Sequence, residues 1–369
     1  MPGENLTGSG PVYVDGSWGE GGGQILRTAL TLSLLTGRPV LIDRVRAGRP
    51  QPGLRAQHLA AVEAAAMVSG GRVEGAAVGS QTVRLFPGRL RPGDYHFRIG
   101  TAGAASLVLQ TVLPALALAE GDSTVTVSGG THVPWAPTFD YLRRHWSEVV
   151  RRLGLEVELT LERAGFYPTG GGVVRARVSG RWQPRPLEPD SSPEGEPTAT
   201  ERGSLVRAGA LSLVCNLPRK IADRQARELQ KGLHRLGLKG PAQAAAVEVI
   251  EPQGRSPGTA VYVEAVFERG RGAATALGRR GKPAEQVARE ALNELARYLK
   301  SEADFDYHLA DQLLLPLALA PGPSRFTTSA VSQHLLTNAH VINLFLGPVV
   351  QVRGEVGQPG EVRVNPAGA

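Results

Sequence analysis

The spacing of apolar and polar residues divides the chain into short strands and amphipathic helices that follow one another in a repeated order. Val12, Tyr13 and Val14 read as a strand, and 25–35 as a helix stopped by Gly37-Arg38-Pro39. A strand at 40–45, a helix at 54–69 closed by Gly70-Gly71, and two short strands around Val73 and Val83 complete a first unit. The order then recurs: strand 95–99, helix 104–119, strand 124–128, helix 138–153, and strands 155–161 and 173–178. A shorter version closes the chain, with helices at 309–319 and 335–346 around a strand at 325–330. Strands at 349–352 and 361–364 form its last hairpin. Three such units predict an α/β (α+β) architecture of sheets covered by helices.

Between the second and third units the composition changes. The segment 183–203 is rich in proline and glutamate and reads as a linker or long loop. A strand at 205–214, a helix at 222–236, strands at 245–250 and 260–268, and a helix from about 283 to 299 follow it. Val287, Ala288, Ala291, Leu292 and Leu295 give that last helix one apolar face. The expected organisation is a large domain over 1–181 and 304–369, with a smaller α/β domain inserted at 182–303.

With 369 residues the chain can bury a large core in two domains. Its 41 basic and 34 acidic residues leave a net charge of +7, which suits an anionic partner without requiring one. Aromatics make up only 5%, which argues against a continuous base-stacking platform. The single cysteine, Cys215, excludes an internal disulfide and a cysteine-rich zinc site, and no histidine pair has zinc spacing with a third ligand. The polar start lacks the apolar core of a signal peptide, and the longest apolar stretch, 107–119, is too short to span a bilayer. A cytoplasmic protein with no membrane partner is expected.

The candidate chemistry begins at Gly19-Glu20-Gly21-Gly22-Gly23-Gln24-Ile25-Leu26-Arg27, a glycine-rich strand-to-helix turn. Glycines let the backbone approach a bound group, and the free N–H groups of a helix start favour an anion. No Gly-Lys-Ser/Thr follows, so it is not a P-loop, and Gln24 stands where a dinucleotide fingerprint needs its last glycine. A carboxylate beside phosphates calls for a divalent cation between them, which assigns Glu20 to the metal and Arg27 to phosphate oxygens. Three further stretches, 46–57, 100–110 and 163–172, pair glycine turns with arginine or amide side chains. Each alone would more often cap an element; together they favour an anionic site. His334, at the mouth of an apolar helix, is a candidate nucleophile or general base. The acid and amide of Asp311 and Gln312 lie at another helix start.

Together with Arg46-Ala47-Gly48-Arg49, Gly165-Phe166-Tyr167-Pro168-x-Gly170-Gly171-Gly172, Leu309-Ala310-Asp311-Gln312 and His334-Leu335-Leu336-Thr337-Asn338, the first loop closely resembles the RNA 3′-terminal phosphate cyclases. The resemblance runs in register from about Val12 to Leu346 and includes the insert. It implies three repeated units, each of two helices on a four-stranded sheet, plus the smaller inserted domain. It also implies that His334 attacks the α-phosphate of ATP and carries AMP to an RNA 3′-phosphate. The vicinal 2′-hydroxyl then displaces AMP and closes a 2′,3′-cyclic phosphate. By this resemblance Glu20 holds a divalent cation (Mg or Mn), and Arg27, Arg46 and Arg49 clamp phosphates. Gln24 and Gln57 meet the RNA substrate. Gln110, Pro137 and the run His308, Leu309, Ala310, Asp311 and Gln312 meet the nucleotide. Family members usually have a basic residue where this chain has Ala164, and often a tyrosine where His308 stands, although an imidazole can still stack on adenine.

Three rival readings compete. Non-catalytic relatives that act in ribosomal RNA processing lack the nucleophilic histidine, which is present here within an intact His-Leu-Leu-Thr-Asn run. A carboxyvinyl transferase would need a phosphosugar or shikimate-like pocket, and a plain RNA-binding module a stronger basic stripe. The expected partners are ATP and RNA 3′-phosphate ends; a homo-oligomer is left open.

Overall fold

The computed structural model describes residues 10–187, 202–238 and 246–366. In the first unit, β1 (Val12–Asp15), α1 (Gly23–Thr36), β2 (Val40–Asp43), α2 (Ala56–Ser69), β3 (Arg72–Glu74) and β4 (Val83–Phe86) build a sheet of order β1-β2-β4-β3. β1 and β2 run parallel, which requires a crossover, and α1 supplies it. Gly37 ends α1 in the left-handed conformation at φ 68°, which glycine adopts without a Cβ penalty.

The second unit repeats this layout. β5 (Asp94–Arg98), α3 (Ala105–Ala117), β6 (Ser123–Gly129), β7 (Val157–Arg163) and β8 (Gly172–Val178) give the order β5-β6-β8-β7, again with the first pair parallel. The helix between β6 and β7 is not uniform. α4 (Phe139–Tyr141) passes through a π turn at Leu142–Trp146 into α5 (Ser147–Arg152).

Between the second and third units, β9 (Leu205–Cys215), α6 (Lys220–Arg235), β10 (Ala246–Ile250), β11 (Gly258–Phe267), β12 (Arg271–Leu277) and α7 (Ala284–Ser301) form a separate sheet of order β10-β9-β11-β12. β12 was not expected, because Gly272, Ala273, Ala274 and Ala276 give it little strand propensity. Small residues are needed there: a Cβ on Gly272 would come within 2.2 Å of the Tyr298 ring on α7. Most of the proline- and glutamate-rich segment, 188–201, lies outside the described residues.

The third unit departs from the expected four-stranded sheet. α8 (Tyr307–Ala318), β13 (Ser324–Thr328), α9 (Gln333–Leu346), β14 (Val350–Arg353) and β15 (Gly360–Val364) give three strands in the order β13-β15-β14. The place of a first parallel strand is held by Phe305 alone, which bridges Thr328 on one side and Arg271 of β12 on the other. Pairing goes no further for a local reason. The Asp304 carboxylate accepts from the Thr327 backbone N–H at 2.8 Å, and Asp306 turns away to cap α8.

Two large apolar clusters lie inside. One runs from Val12 to Trp182 and from Phe305 to Val364, uniting all three units, and Leu187 packs against it. The other lies between the inserted sheet and α6 and α7. A smaller seam of Tyr141, Ala164, Phe166, Leu211, Leu213, Cys215 and Tyr262 joins the inserted sheet to the second unit. Among the described residues no helix is long and apolar enough to cross a membrane.

Candidate active site

The glycine loop before α1 is folded against the turn after β2. Gly48 donates its N–H to Gly21 O at 3.1 Å, and a Cβ on Gly21, held at φ 53°, would meet Gly48 N at 2.6 Å. Only a bare backbone allows that approach. It brings Glu20 to Arg49, with Arg49 Nη2 donating to Glu20 Oε1 at 2.9 Å. From the far end of the chain, His334 Nε2 reaches the same oxygen at 3.3 Å. His334 is the second residue of α9, whose start is fixed by Ser332 Oγ accepting from Leu335 N at 3.0 Å. Its Nδ1 is buried with no hydrogen-bond partner. Burial lowers the His334 pKa below the ordinary imidazole value, with Glu20 opposing and Arg27, His308 and Arg49 reinforcing.

Arg27 lies one turn into α1, and burial brings its pKa down to about 10 against Asp311 and Glu20, so it stays charged at neutral pH. Its Nη2 donates to Gln24 Oε1 at 2.5 Å, and Gln24 Nε2 donates to Asn338 Oδ1 at 2.8 Å. Asn338 Nδ2 in turn donates to the Asp311 carbonyl at 3.0 Å. Three helices from opposite ends of the chain, α1, α8 and α9, are thus tied at one point. Burial raises the Asp311 carboxyl to about 7, against the pull of His308 and Arg27.

Of the residues expected at a nucleotide, Gln110 Nε2 on α3 donates to Gln312 Oε1 at 2.5 Å, and Gln312 Nε2 donates to the His308 carbonyl at 2.6 Å. His308 is half exposed and pairs with Glu294 of α7 at 3.1 Å. Burial works against its charged form, but Glu294, Asp306 and Asp311 outweigh this and raise its pKa. Leu309 and Ala310 are fully buried in the large core, so their side chains do not face the site. Pro137 sits on the loop before α4. Asp306 sets the start of α8, accepting from His308 N at 3.1 Å and Leu309 N at 3.0 Å. The same carboxylate takes Tyr141 OH at 2.8 Å, Ala273 N at 3.2 Å and His145 Nε2 at 2.6 Å.

Two other expected residues are held by backbone. Arg46, itself at φ 56°, donates one guanidinium nitrogen to the carbonyls of Gln51 and Gly53, both at 2.8 Å. Gln57 Oε1 accepts from Ala104 N at 2.9 Å, next to the start of α3.

His58, which the sequence places in the first turns of α2 without a role, is surrounded by charge from four arginines. Its Nδ1 accepts from Arg55 N at 3.2 Å, which leaves the proton on Nε2, and a Cβ on Gly23 would meet that nitrogen at 2.3 Å. Burial, then Arg27, Arg46, Arg55 and Arg49, push its pKa down to about 3. A neutral imidazole therefore packs against the first residue of α1, with four guanidinium groups near enough to act on its charge. Helix start and guanidinium groups together form a cradle for an anion carrying several charges. Thr337 and Asn338 belong to the His334 motif but carried no assigned role; the Thr337 hydroxyl is buried without a partner beside Gly19. No local spacing marks these residues, because their neighbours come from other helices.

Among the described residues no group of three histidine, cysteine, aspartate or glutamate side chains could enclose a metal ion. Glu20 offers a single carboxylate. That fits a hard divalent cation held mainly by water and substrate phosphates rather than by a protein cage.

A neutral imidazole, one carboxylate and several arginines at a helix start suit chemistry on phosphate esters or anhydrides. The profile of the family described as "RNA 3'-terminal phosphate cyclase" matches residues 18–352, and the chain belongs to that family. It is 47% identical over 344 residues to the RNA 3′-terminal phosphate cyclase of Ralstonia nicotianae, covering 93% of this chain and 94% of that one. The cyclase of Methylococcus capsulatus is 45% identical over 364 residues, covering 96% and 97%, and that of Thermococcus onnurineus 42% over 355, covering 96% and 98%. The solved enolpyruvyl transferase NikO from Streptomyces tendae aligns with 97% of this chain and 82% of its own, at 12% identity and a TM-score of 0.22, too weak a likeness to bear on the fold.

Proposed function

We propose that the protein converts an RNA 3′-terminal phosphate to a 2′,3′-cyclic phosphate at the expense of ATP, through AMP carried on His334. The observation that carries this reading is His334 Nε2 beside Glu20, whose carboxylate also holds Arg49. A lowered pKa keeps the imidazole neutral and nucleophilic near neutral pH. His334 attacks the α-phosphorus, the bond to the β-phosphate bridging oxygen breaks, and pyrophosphate leaves. Arg27, Arg49 and Arg46 meet the charge that develops on the phosphate oxygens. A divalent cation on Glu20 would supply further charge neutralisation.

The 3′-phosphate oxygen of the RNA next attacks the phosphorus of His334-bound AMP, the P–N bond breaks, and the histidine is regenerated. The neighbouring 2′-hydroxyl then attacks the activated 3′-phosphorus and expels AMP. This step needs little help, because the nucleophile is tethered beside its target. Gln24 and Gln57 are assigned to the RNA end. Gln110, Pro137, His308, Asp311 and Gln312 are assigned to adenosine, Leu309 and Ala310 contributing backbone only.

The test uses the purified protein, α-labelled ATP and magnesium or manganese, without RNA. Label that survives alkali, is lost in acid and is absent from His334→Ala is expected. An unlabelled wild-type protein that still binds ATP would overturn the covalent route and favour a non-catalytic relative.

A further inference from the structure

Among the described residues the two most exposed large apolar side chains are Trp135, at 100%, and Tyr167, at 69%. Neither projects from a loose loop. Trp135 is held at φ 65°, an uncommon conformation for an aromatic residue, while Val133 and Ala136 on either side pack against Ala104, Leu107 and Ala102 at the start of α3. Tyr167 follows Phe166, whose ring stacks on buried His132 at 5.0 Å and whose N–H donates to Ser256 Oγ at 2.7 Å. The two loops are stitched together, with Thr131 N and His132 N both donating to Gly165 O at 2.8 and 3.1 Å. A backbone strained so as to present a large ring to water is a reason to look for a ligand.

A third side chain lies against the loop that carries Tyr167. Arg255, from the inserted sheet's loop, lies against Gly171, where a Cβ would be 3.6 Å from its Cβ and Cδ. It is exposed and forms no ion pair among the described residues. Its loop is fixed, since Ala164 N donates to Gln253 O at 2.8 Å and Ser256 Oγ donates to Gly170 O at 3.1 Å.

This group is linked through one glycine turn to α2, the helix of Gln57 and His58. A Cβ on Gly170 would meet Ala102 Cα at 2.7 Å, Gly130 N donates to Gly103 O at 2.7 Å, and Ala104 N donates to Gln57, the neighbour of His58. We propose that Trp135, Tyr167 and Arg255 form a lip that holds the single-stranded nucleotides just upstream of the RNA 3′-end. Two bases stack on the rings, and a bridging phosphate lies on the guanidinium. The proposal rests on the RNA 3′-end reading of the site. The scarcity of aromatics excludes a long stacking platform, but two rings at the entrance suffice for two bases. Stacking tolerates any sequence, as an enzyme acting on chain ends requires.

The experiment compares a dinucleotide and an eight-nucleotide RNA, both ending in a 3′-phosphate. Trp135→Ala or Tyr167→Ala alone is expected to raise KM for the longer RNA by roughly fivefold to a hundredfold, as loss of one stacked base does, and the two together to raise it further. KM for the dinucleotide and adenylylation without RNA stay at the wild-type level. Trp135→Phe, which keeps a ring, stays near wild type, and Arg255→Ala lowers the salt dependence of long-RNA binding by about one counterion. An unchanged KM for the long RNA, or an equal rise for both lengths, overturns the lip. Tryptophan fluorescence quenched by an RNA lacking the 3′-phosphate, and unquenched in Trp135→Phe/Tyr167→Ala, reads the lip without the reaction. Quenching in a protein that never takes up AMP would therefore refute the catalytic reading and leave the lip standing; absent quenching in an active enzyme does the reverse.

Discussion

At Asp311, burial raises the carboxyl pKa from 3.8 to about 7 although His308 and Arg27 pull it down. Between those two values the folded protein keeps a proton that the unfolded chain releases, so stability falls as pH rises through that window. Asp311→Asn removes this titration. Its melting temperature should match the wild type below pH 3.8 and exceed it by a growing margin up to about pH 7, as read from thermal melts across that range. The same variant is expected to lose nucleotide affinity, so the cost in stability is attached to a working group. At this scale the sequence was readable where a residue type has few other uses: Glu20 within glycines, and His334 at a helix mouth. It placed His58 at a helix start but gave it no role, because its setting is made by α1 and the arginine loop rather than by its own neighbours in α2. Leu309 and Ala310 sit in a recognisable motif, but their place in the core follows from the helix period and not from the motif.

Elements inherit these demands. α8 begins where it does because Asp306 accepts two of its free N–H groups, and three other elements use the same carboxylate. Asp306→Ala removes a cap and leaves the Tyr141 hydroxyl and His145 without a partner in the interior. The expected loss is about 3 kcal/mol in urea unfolding. The amide run His308–Gln312 should loosen with it, and KM for ATP should rise more than turnover falls. Helices with a clear apolar stripe and strands with alternating valines were predictable. The π turn at Leu142–Trp146 was not, since an inserted residue in a helix leaves the local composition unchanged. β12 was hidden because its glycine and alanines answer to the ring of Tyr298 rather than to strand propensity. The missing fourth strand of the last sheet turns on Asp304 and Asp306, two carboxylates that look like ordinary loop residues.

On the scale of the whole molecule, the inserted sheet is not a passenger. Glu294 of α7 pairs with His308 at 3.1 Å and accepts from Tyr307 OH at 3.1 Å, so a residue of the insert steadies the segment assigned to adenosine. Glu294→Ala should raise KM for ATP up to roughly fivefold, about what a half-exposed ion pair contributes, with turnover and melting temperature nearly unchanged. An unaltered KM would mean that the insert and the nucleotide segment merely touch.

The hydrogen bond between Gln24 and Asn338 spans 314 residues of sequence. A ribosome making this chain produces the glycine loop and its arginines first, then the insert, and only afterwards His334. Until α9 has emerged and docked on α1, the nascent protein holds the glycine loop and its arginines without that histidine. The proposed site is therefore assembled only after the insert has been made, and a chain broken off before α9 is released with half of it.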